Sequence, residues 1–218
     1  MIIVKRRLKE IGIAERKNRE KAEMRNEILK AAREIITNEG AENLSIRKIA
    51  GIIEYSPAII YHYFDNKEAI IEKLITEDYE KILKALDSSQ RSEETAAENL
   101  GRSIKSYVTL ATGMGNTYKN MMQNSSPAFL AHTAVLHKGA STERPALAML
   151  CQVLREFPGW AECDEIDIET TAQIIWAAIF GLTLRLIVEK VGEKQKQRLT
   201  DRSITLILRS LENIPSGA

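Results

Sequence analysis

Between Leu44 and Lys67 the apolar positions fall into two short helical sets, led by Ser45 and, eleven residues later, Ser56. Ile46, Ile49, Ala50 and Ile53 follow Ser45 at the i, i+3, i+4, i+7 spacing of one buried helical face. A serine before such a run accepts bonds from helix amides that have no partner within the helix. Tyr55 closes the turn, and Ser56-Pro57 restarts the chain with a capping hydroxyl and a proline at the first helical position, where its missing N–H removes no bond. Two short helices joined by so tight a turn describe a helix-turn-helix, whose second helix enters the DNA major groove while the first crosses the backbone. Ala58, Ile59, Tyr61 and His62 are then the groove-facing set. Ile49, Ile60, Tyr63 and Phe64 are assigned to the core, with Tyr61 partly so.

The same periodicity continues on both sides. Met24, Ile28, Leu29, Ala32, Ile35 and Ile36 predict a helix over 20–39 that stops at Gly40. Asp65 and Asn66 precede a helix over 67–87 carrying Ile70, Ile71, Leu74, Ile75, Tyr79, Ile82, Leu83 and Leu86. The polar run from Asp87 to Ser92 is the first break after it, and the domain boundary is placed there. Helices are then expected over 93–111, 115–122, 126–137, 143–157, 169–189 and 194–211, so the fold class is all-α. This divides the chain into a charged arm over 1–20, a helix-turn-helix domain over 21–87 and a helical domain over 88–218.

The helix over 169–189 is apolar around much of its circumference, and such a helix is buried on more than one side. With the last helix it offers more apolar surface than one small domain needs. Ile175, Ile179, Leu182, Leu186, Ile204 and Leu208 are therefore expected to pack against a second copy as a four-helix interface. A single short recognition helix is also too little for a selective DNA site, which points independently to a homodimer on an inverted repeat.

Ser45, Ile49-Ala50, Ser56, Tyr61, Phe64 and Lys67-Glu68, preceded by Ile28-Leu29, Ala31-Ala32 and Gly40, resemble the amino-terminal DNA-binding domain of TetR-type transcriptional regulators over residues 25–75. Glu54 departs from the pattern, since the family usually has glycine or a small residue in that turn. Trp176, Gly181 and Leu182 look like the W-H-G type of carboxy-terminal domain found in one branch of the family, with Phe180 where that branch has histidine. The resemblance implies a repressor released by a small molecule. It also implies a ligand cavity, for which Tyr107, Met114, Tyr118, Met121, Met122, Phe129, Trp176 and Phe180 supply apolar, aromatic and adaptable surface. The same residues would serve equally as ordinary core.

Charge sharpens this picture locally rather than globally. The formal net charge is only +1, yet Met1 to Arg33 holds eleven Lys or Arg against five Glu, beside the helix-turn-helix. Residues 5–21 read either as a solvated extension or as an arm along phosphates. Arg47 presents the fork that pairs with guanine O6 and N7, a contact worth roughly 1–3 kcal/mol of discrimination. Pro57, Ala58 and Ile59 suit a thymine methyl. Ser45, Ser56, Tyr61, His62 and Lys67, with Arg25, are assigned to phosphates and fix register rather than sequence choice, and Lys48 is a further DNA-binding candidate.

Catalytic chemistry is not expected. His132 and His137 are five apart, which is not the spacing of a helical metal pair, and no phosphate loop or nucleophile elbow is present. Cys151 and Cys163 cannot build a zinc site alone; free thiols or a disulfide remain open. No metal or cofactor is expected. The apolar run from Ile174 to Leu184 is too short to span a membrane and the chain start lacks a signal peptide, so a cytoplasmic protein is expected. Beside the ligand-responsive repressor stand a regulator that activates or answers to a protein partner, and a helical scaffold or enzyme that contains a helix-turn-helix.

Overall fold

The computed structural model describes residues 2–89, 91, 93–125 and 127–212, with side chains from residue 15 onward except those of 121, 128 and 132. Among these residues every regular element is helical. Packing divides the chain into two compact units, residues 1–74 and 75–218.

In the first unit α1 (Ile2–Glu39) is one continuous helix, so the stretch expected to be an arm is helical as well. From Glu15 to Glu23 its side chains are exposed, and burial begins with Ile28. Ile28, Leu29, Ala31, Ala32, Ile35 and Ile36 form one stripe of α1. Ile49 and Ala50 of α2 (Ile46–Ile52), Ile60 of α3 (Pro57–Tyr61), and Leu44 and Phe64 are buried in the same unit. Ile70, Ile71 and Leu74 at the start of α4 (Lys67–Asp87) complete that core. Asn66 caps α4, its Oδ1 accepting the Ala69 N–H at 2.8 Å.

The units divide inside α4 rather than at the polar break after it. Ile75, Ile82 and Leu86, on the second half of the helix, are buried in the second unit. A polar loop marks where a helix stops, whereas burial decides to which core each of its turns belongs.

The second unit contains α5 (Ala96–Met114), α6 (Asn116–Met122), α7 (Pro127–Thr133), α8 (Ala140–Glu143), α9 (Pro145–Arg155), α10 (Glu165–Val188) and α11 (Glu193–Glu212). Thr95 starts α5 with a capping box, accepting the Glu98 N–H at 3.3 Å while the Glu98 carboxylate takes the Thr95 N–H at 2.9 Å. Asp164 starts α10 four residues earlier than the pattern implies, its Oδ1 accepting the Ile166 N–H at 2.7 Å. The turn expected over 138–142 overlaps the short α8, which runs on to Glu143. Glu169 holds it, accepting the Gly139 and Ser141 N–H groups at 2.8 and 2.7 Å. Those bonds keep the Glu169 carboxyl below the usual carboxylate range.

α10 packs against α5, α6, α9 and α11. Its inner face is Ile168, Ala172, Ile175, Ile179, Thr183 and Leu186. Ile174, Ala177 and Ala178 face outward, as does Leu206 of α11. This corrects the expected interface set: Ile175, Ile179, Leu186 and Ile204 are buried within their own chain, and Leu182 and Leu208 are half-buried. Period 3.6 puts 168, 172, 175 and 179 on one face and 174, 177 and 178 on the other. As a whole, α10 is long and apolar enough by length and composition to cross a membrane, which the uninterrupted run alone does not reveal. Buried core helices meet the same test, and here its inner face lies in a helical core.

Candidate nucleic-acid interface and candidate ligand cavity

The α2–α3 turn is built as a left-handed stop. Ile53 ends α2, Glu54 stands at φ 58°, and the Tyr55 N–H reaches back to the Ala50 carbonyl at 3.0 Å. This is the six-to-one bond of a Schellman motif with glutamate where glycine usually stands. Glu54, the departure from the family pattern, thus keeps the usual geometry at a steric cost of about 1–2 kcal/mol. The only other non-glycine at positive φ among the described residues, Lys190, ends α10 in the same way, with Val191 N–H on the Leu186 carbonyl at 3.1 Å.

Ser45 caps α2 as expected, its Oγ accepting the Lys48 N–H at 3.3 Å. Ser56 occupies the capping position of α3, but its hydroxyl makes no capping bond. Its backbone is already extended at φ −75° and ψ 148°, and Pro57 fixes the start of the helix. The hydroxyl is left for another partner. Ser56, Pro57, Ala58, Tyr61 and His62 are exposed, Ile59 is half-buried and Ile60 is fully buried. Arg47 is exposed at the start of α2. Tyr61 is 56% exposed and is not core.

Two of the expected DNA-binding residues already have intramolecular partners. Lys48 Nζ lies 2.5 Å from Glu39 Oε2, and the Arg25 guanidinium lies 4.5 Å over the Phe64 ring. The pairing of Lys48 is half-exposed and worth little, so a phosphate can compete for it. The ring beneath Arg25 limits where its guanidinium can point. Lys67 is half-buried at the first turn of α4.

In the second unit Tyr107 and Tyr118 are buried and share a hydroxyl–hydroxyl hydrogen bond. Burial pushes the Tyr107 phenol up to about 12 and raises that of Tyr118 further. Both stay protonated across the physiological range. The Tyr107 ring lies 5.3 Å from Trp176 and the Tyr118 ring 6.4 Å from Phe180. Four of the expected ligand residues therefore form one aromatic cluster.

A cavity of about 60 Å³ opens beside it, lined by Tyr107, Trp176, Leu86, Leu100, Ile104, Met149 and others. A second, of about 20 Å³, is lined by Met122, Trp176, Tyr79, Thr133 and Arg144 among others. Tyr107, Met122 and Trp176 thus reach a cavity wall. Tyr118, Phe180 and Met114 pack into the surrounding core, Phe129 is buried apart from the walls, and the Met121 side chain lies outside the described residues. Sequence reasoning missed Arg144 and the aliphatic walls from α4, α5 and α9, because nothing in an apolar period separates a cavity wall from a core position. Among the described residues no group of three His, Cys, Asp or Glu could hold a metal, and both cysteines are free.

Residues 28–74 match the family described as bacterial regulatory proteins, tetR family. The match lies within the amino-terminal unit. Its relatives include the HTH-type transcriptional regulator UidR of Escherichia coli K12, 41% identical over 59 residues, which are 27% of this chain and 30% of the relative. The fatty acid metabolism regulator protein of Bacillus subtilis 168 is 30% identical over 90 residues, 41% of this chain and 46% of the relative. These matches therefore span less than half the length of either relative. The transcriptional regulator FadR of Bacillus subtilis in complex with stearoyl-CoA superposes with a TM-score of 0.65, covering 83% of this chain and 96% of that one at 20% identity. At that identity the likeness is one of fold alone. The proteins it resembles are regulators of transcription and not enzymes.

Proposed function

We propose that the protein is a DNA-binding transcriptional repressor that binds an inverted-repeat operator as a homodimer in the cytoplasm and is released from it by a small apolar ligand. The observation that carries this reading is the position of α4. Its first half belongs to the TetR-family unit, while Ile75, Tyr79, Ile82 and Leu86 on its second half line the two cavities. A ligand that enlarges those cavities displaces the second half of a continuous helix, and a packed helix transmits displacement without stretching.

In this reading Arg47 and the exposed face of α3 read bases, while Ser45, Ser56, Lys48 and Lys67 hold phosphates. The dimer contact is the outward stripe of Ile174, Ala177, Ala178 and Leu206, in place of the inner residues that the periodicity alone suggests. A relative named as a fatty acid metabolism regulator, and a solved neighbour that holds stearoyl-CoA, support an acyl compound as the class of effector.

The test is selection of bound sequences from a random DNA pool at two salt concentrations, since phosphate contacts alone lose affinity steeply with salt. Recovery of one inverted repeat is expected. Recovery only of salt-sensitive, sequence-blind binding would overturn the specific-repressor reading and favour control through a protein partner.

A further inference from the structure

The two cavities of the second unit share two walls, Ala146 and Trp176. Both are far below the roughly 300 Å³ at which ligand sites begin, so a ligand must open them. We infer that they are the two ends of one channel divided by the Trp176 indole, and that the ligand is an elongated apolar molecule with one carboxylate end seated against Arg144. This rests on the small-molecule reading above and adds the chemistry that the ligand must carry.

Arg144 decides the polarity of the site. Its side chain is only 14% exposed, and among the described residues it is the sole charged one lining either cavity. A guanidinium held against apolar walls is costly unless each donor is satisfied. Its Nε donates to the Ala134 carbonyl at 3.0 Å, and Nη1 lies 3.3 Å from the Glu143 carbonyl and 3.4 Å from the Glu143 carboxylate. These bonds leave Nη2 over. The Glu143 carboxylate is 56% exposed, so water screens it and its charge compensates Arg144 only in part.

Tyr79 supplies a second donor at the same end. Its phenol oxygen accepts the Ala146 N–H at 3.3 Å, which leaves its own proton to give. Thr133 is already committed, donating to the Phe129 carbonyl at 2.9 Å. Arg144 and Tyr79 together present donors to whatever enters, an arrangement that fits a carboxylate and repels a cation. Away from this end Leu86, Leu100, Ile104, Met149 and Leu150 offer hydrocarbon and one adaptable thioether, which suits an alkyl chain.

Trp176 is half-buried and leans on the Tyr107 ring at 51°. The other tryptophan, Trp160, is fixed by an Nε1–H bond to the Leu211 carbonyl at 3.0 Å. A chain that joins the cavities therefore changes the surroundings of Trp176 and leaves Trp160 in place.

The probes are decanoate and decan-1-ol, titrated by calorimetry and by tryptophan emission into the full-length protein and into Arg144→Gln and Trp176→Phe. Decanoate should bind the parent protein about tenfold or more tightly than decanol, as charge-assisted bonds to a buried guanidinium require. It should also change the emission. Arg144→Gln should lose the preference and bind decanoate no more tightly than decanol, with a parent-like circular dichroism spectrum showing that it is folded, and Trp176→Phe should bind decanoate without the emission change. Equal binding of the two probes by the parent, or a preference that survives in Arg144→Gln, overturns the carboxylate seat and leaves the sensing reading standing. An emission change that persists in Trp176→Phe overturns the partition. Binding of neither probe overturns the ligand class, and release of the selected operator by stearoyl-CoA then decides the sensing reading separately.

Discussion

The two units differ in how a side chain advertises its work. In the first unit a residue that faces DNA must be exposed on a helix whose opposite face is buried, so of the neighbours Ile60 at 0% and Tyr61 at 56% exposure only Tyr61 is available for that role. In the second unit a cavity wall can be as buried as the core. Tyr107 on a cavity wall and Tyr118 in the core are equally hidden and are bonded to each other. Exposure separates function from packing in the first case and cannot in the second.

The largest expected effect tests whether the units are separate. Ile60→Ala and Leu154→Ala each empty a fully buried site and should cost about 2–5 kcal/mol. Both tryptophans lie in the second unit, so a urea titration followed by their emission reports on that unit alone. Leu154→Ala should lower the midpoint, whereas Ile60→Ala should abolish operator binding with the midpoint nearly unmoved. Equal shifts would make the chain one cooperative body.

Next in size is the division of labour on α2. Arg47→Ala should lose about 1–3 kcal/mol at one base pair of the operator and relax the choice there. Lys48→Ala should weaken all sequences alike and reduce the salt slope by about 1. Competition binding with single-base operator variants distinguishes the two, and identical profiles would remove the assignment of Arg47 to a base.

The tight turn was legible because its signals are local: Ser45, Pro57 and the period of Ile46, Ile49 and Ala50 each act within a few residues. Glu54 shows the limit. The geometry that glycine usually supplies is kept by a residue that strains to adopt it, which no pattern reveals. Glu54→Gly should therefore stabilise the first unit by about 1 kcal/mol, read as a rise in its thermal midpoint.

The helices of the second unit were equally legible, whereas the inner and outer faces of α10 were not. Apolar residues on all sides leave no polar stripe to mark the outside, so Ile175 and Ile174 look alike until the neighbouring helices are placed. The cavity walls were hidden for the same reason. Arg144 was hidden because its significance lies in what surrounds it, α4 and α7, and not in its neighbours along the chain.

The smallest effect concerns Glu169, which ties the α8 turn to α10. Its carboxyl is held low in the folded state, so it contributes stability above the ordinary carboxylate range. That contribution fades as pH falls through the lowered folded value. Glu169→Gln should be less stable than the parent at neutral pH and converge with it on acidification. A difference independent of pH would assign the residue a packing role only.

In the proposed mechanism, filling the cavities and holding the operator oppose each other through α4. Its most direct test is the dissociation constant for the selected operator, measured by fluorescence anisotropy without ligand and with saturating decanoate or stearoyl-CoA. Operator binding should weaken by roughly 5–150-fold, the span of ordinary allosteric couplings, with an equal loss of ligand affinity when operator is bound. An operator affinity that is unchanged while calorimetry shows the ligand bound would contradict it.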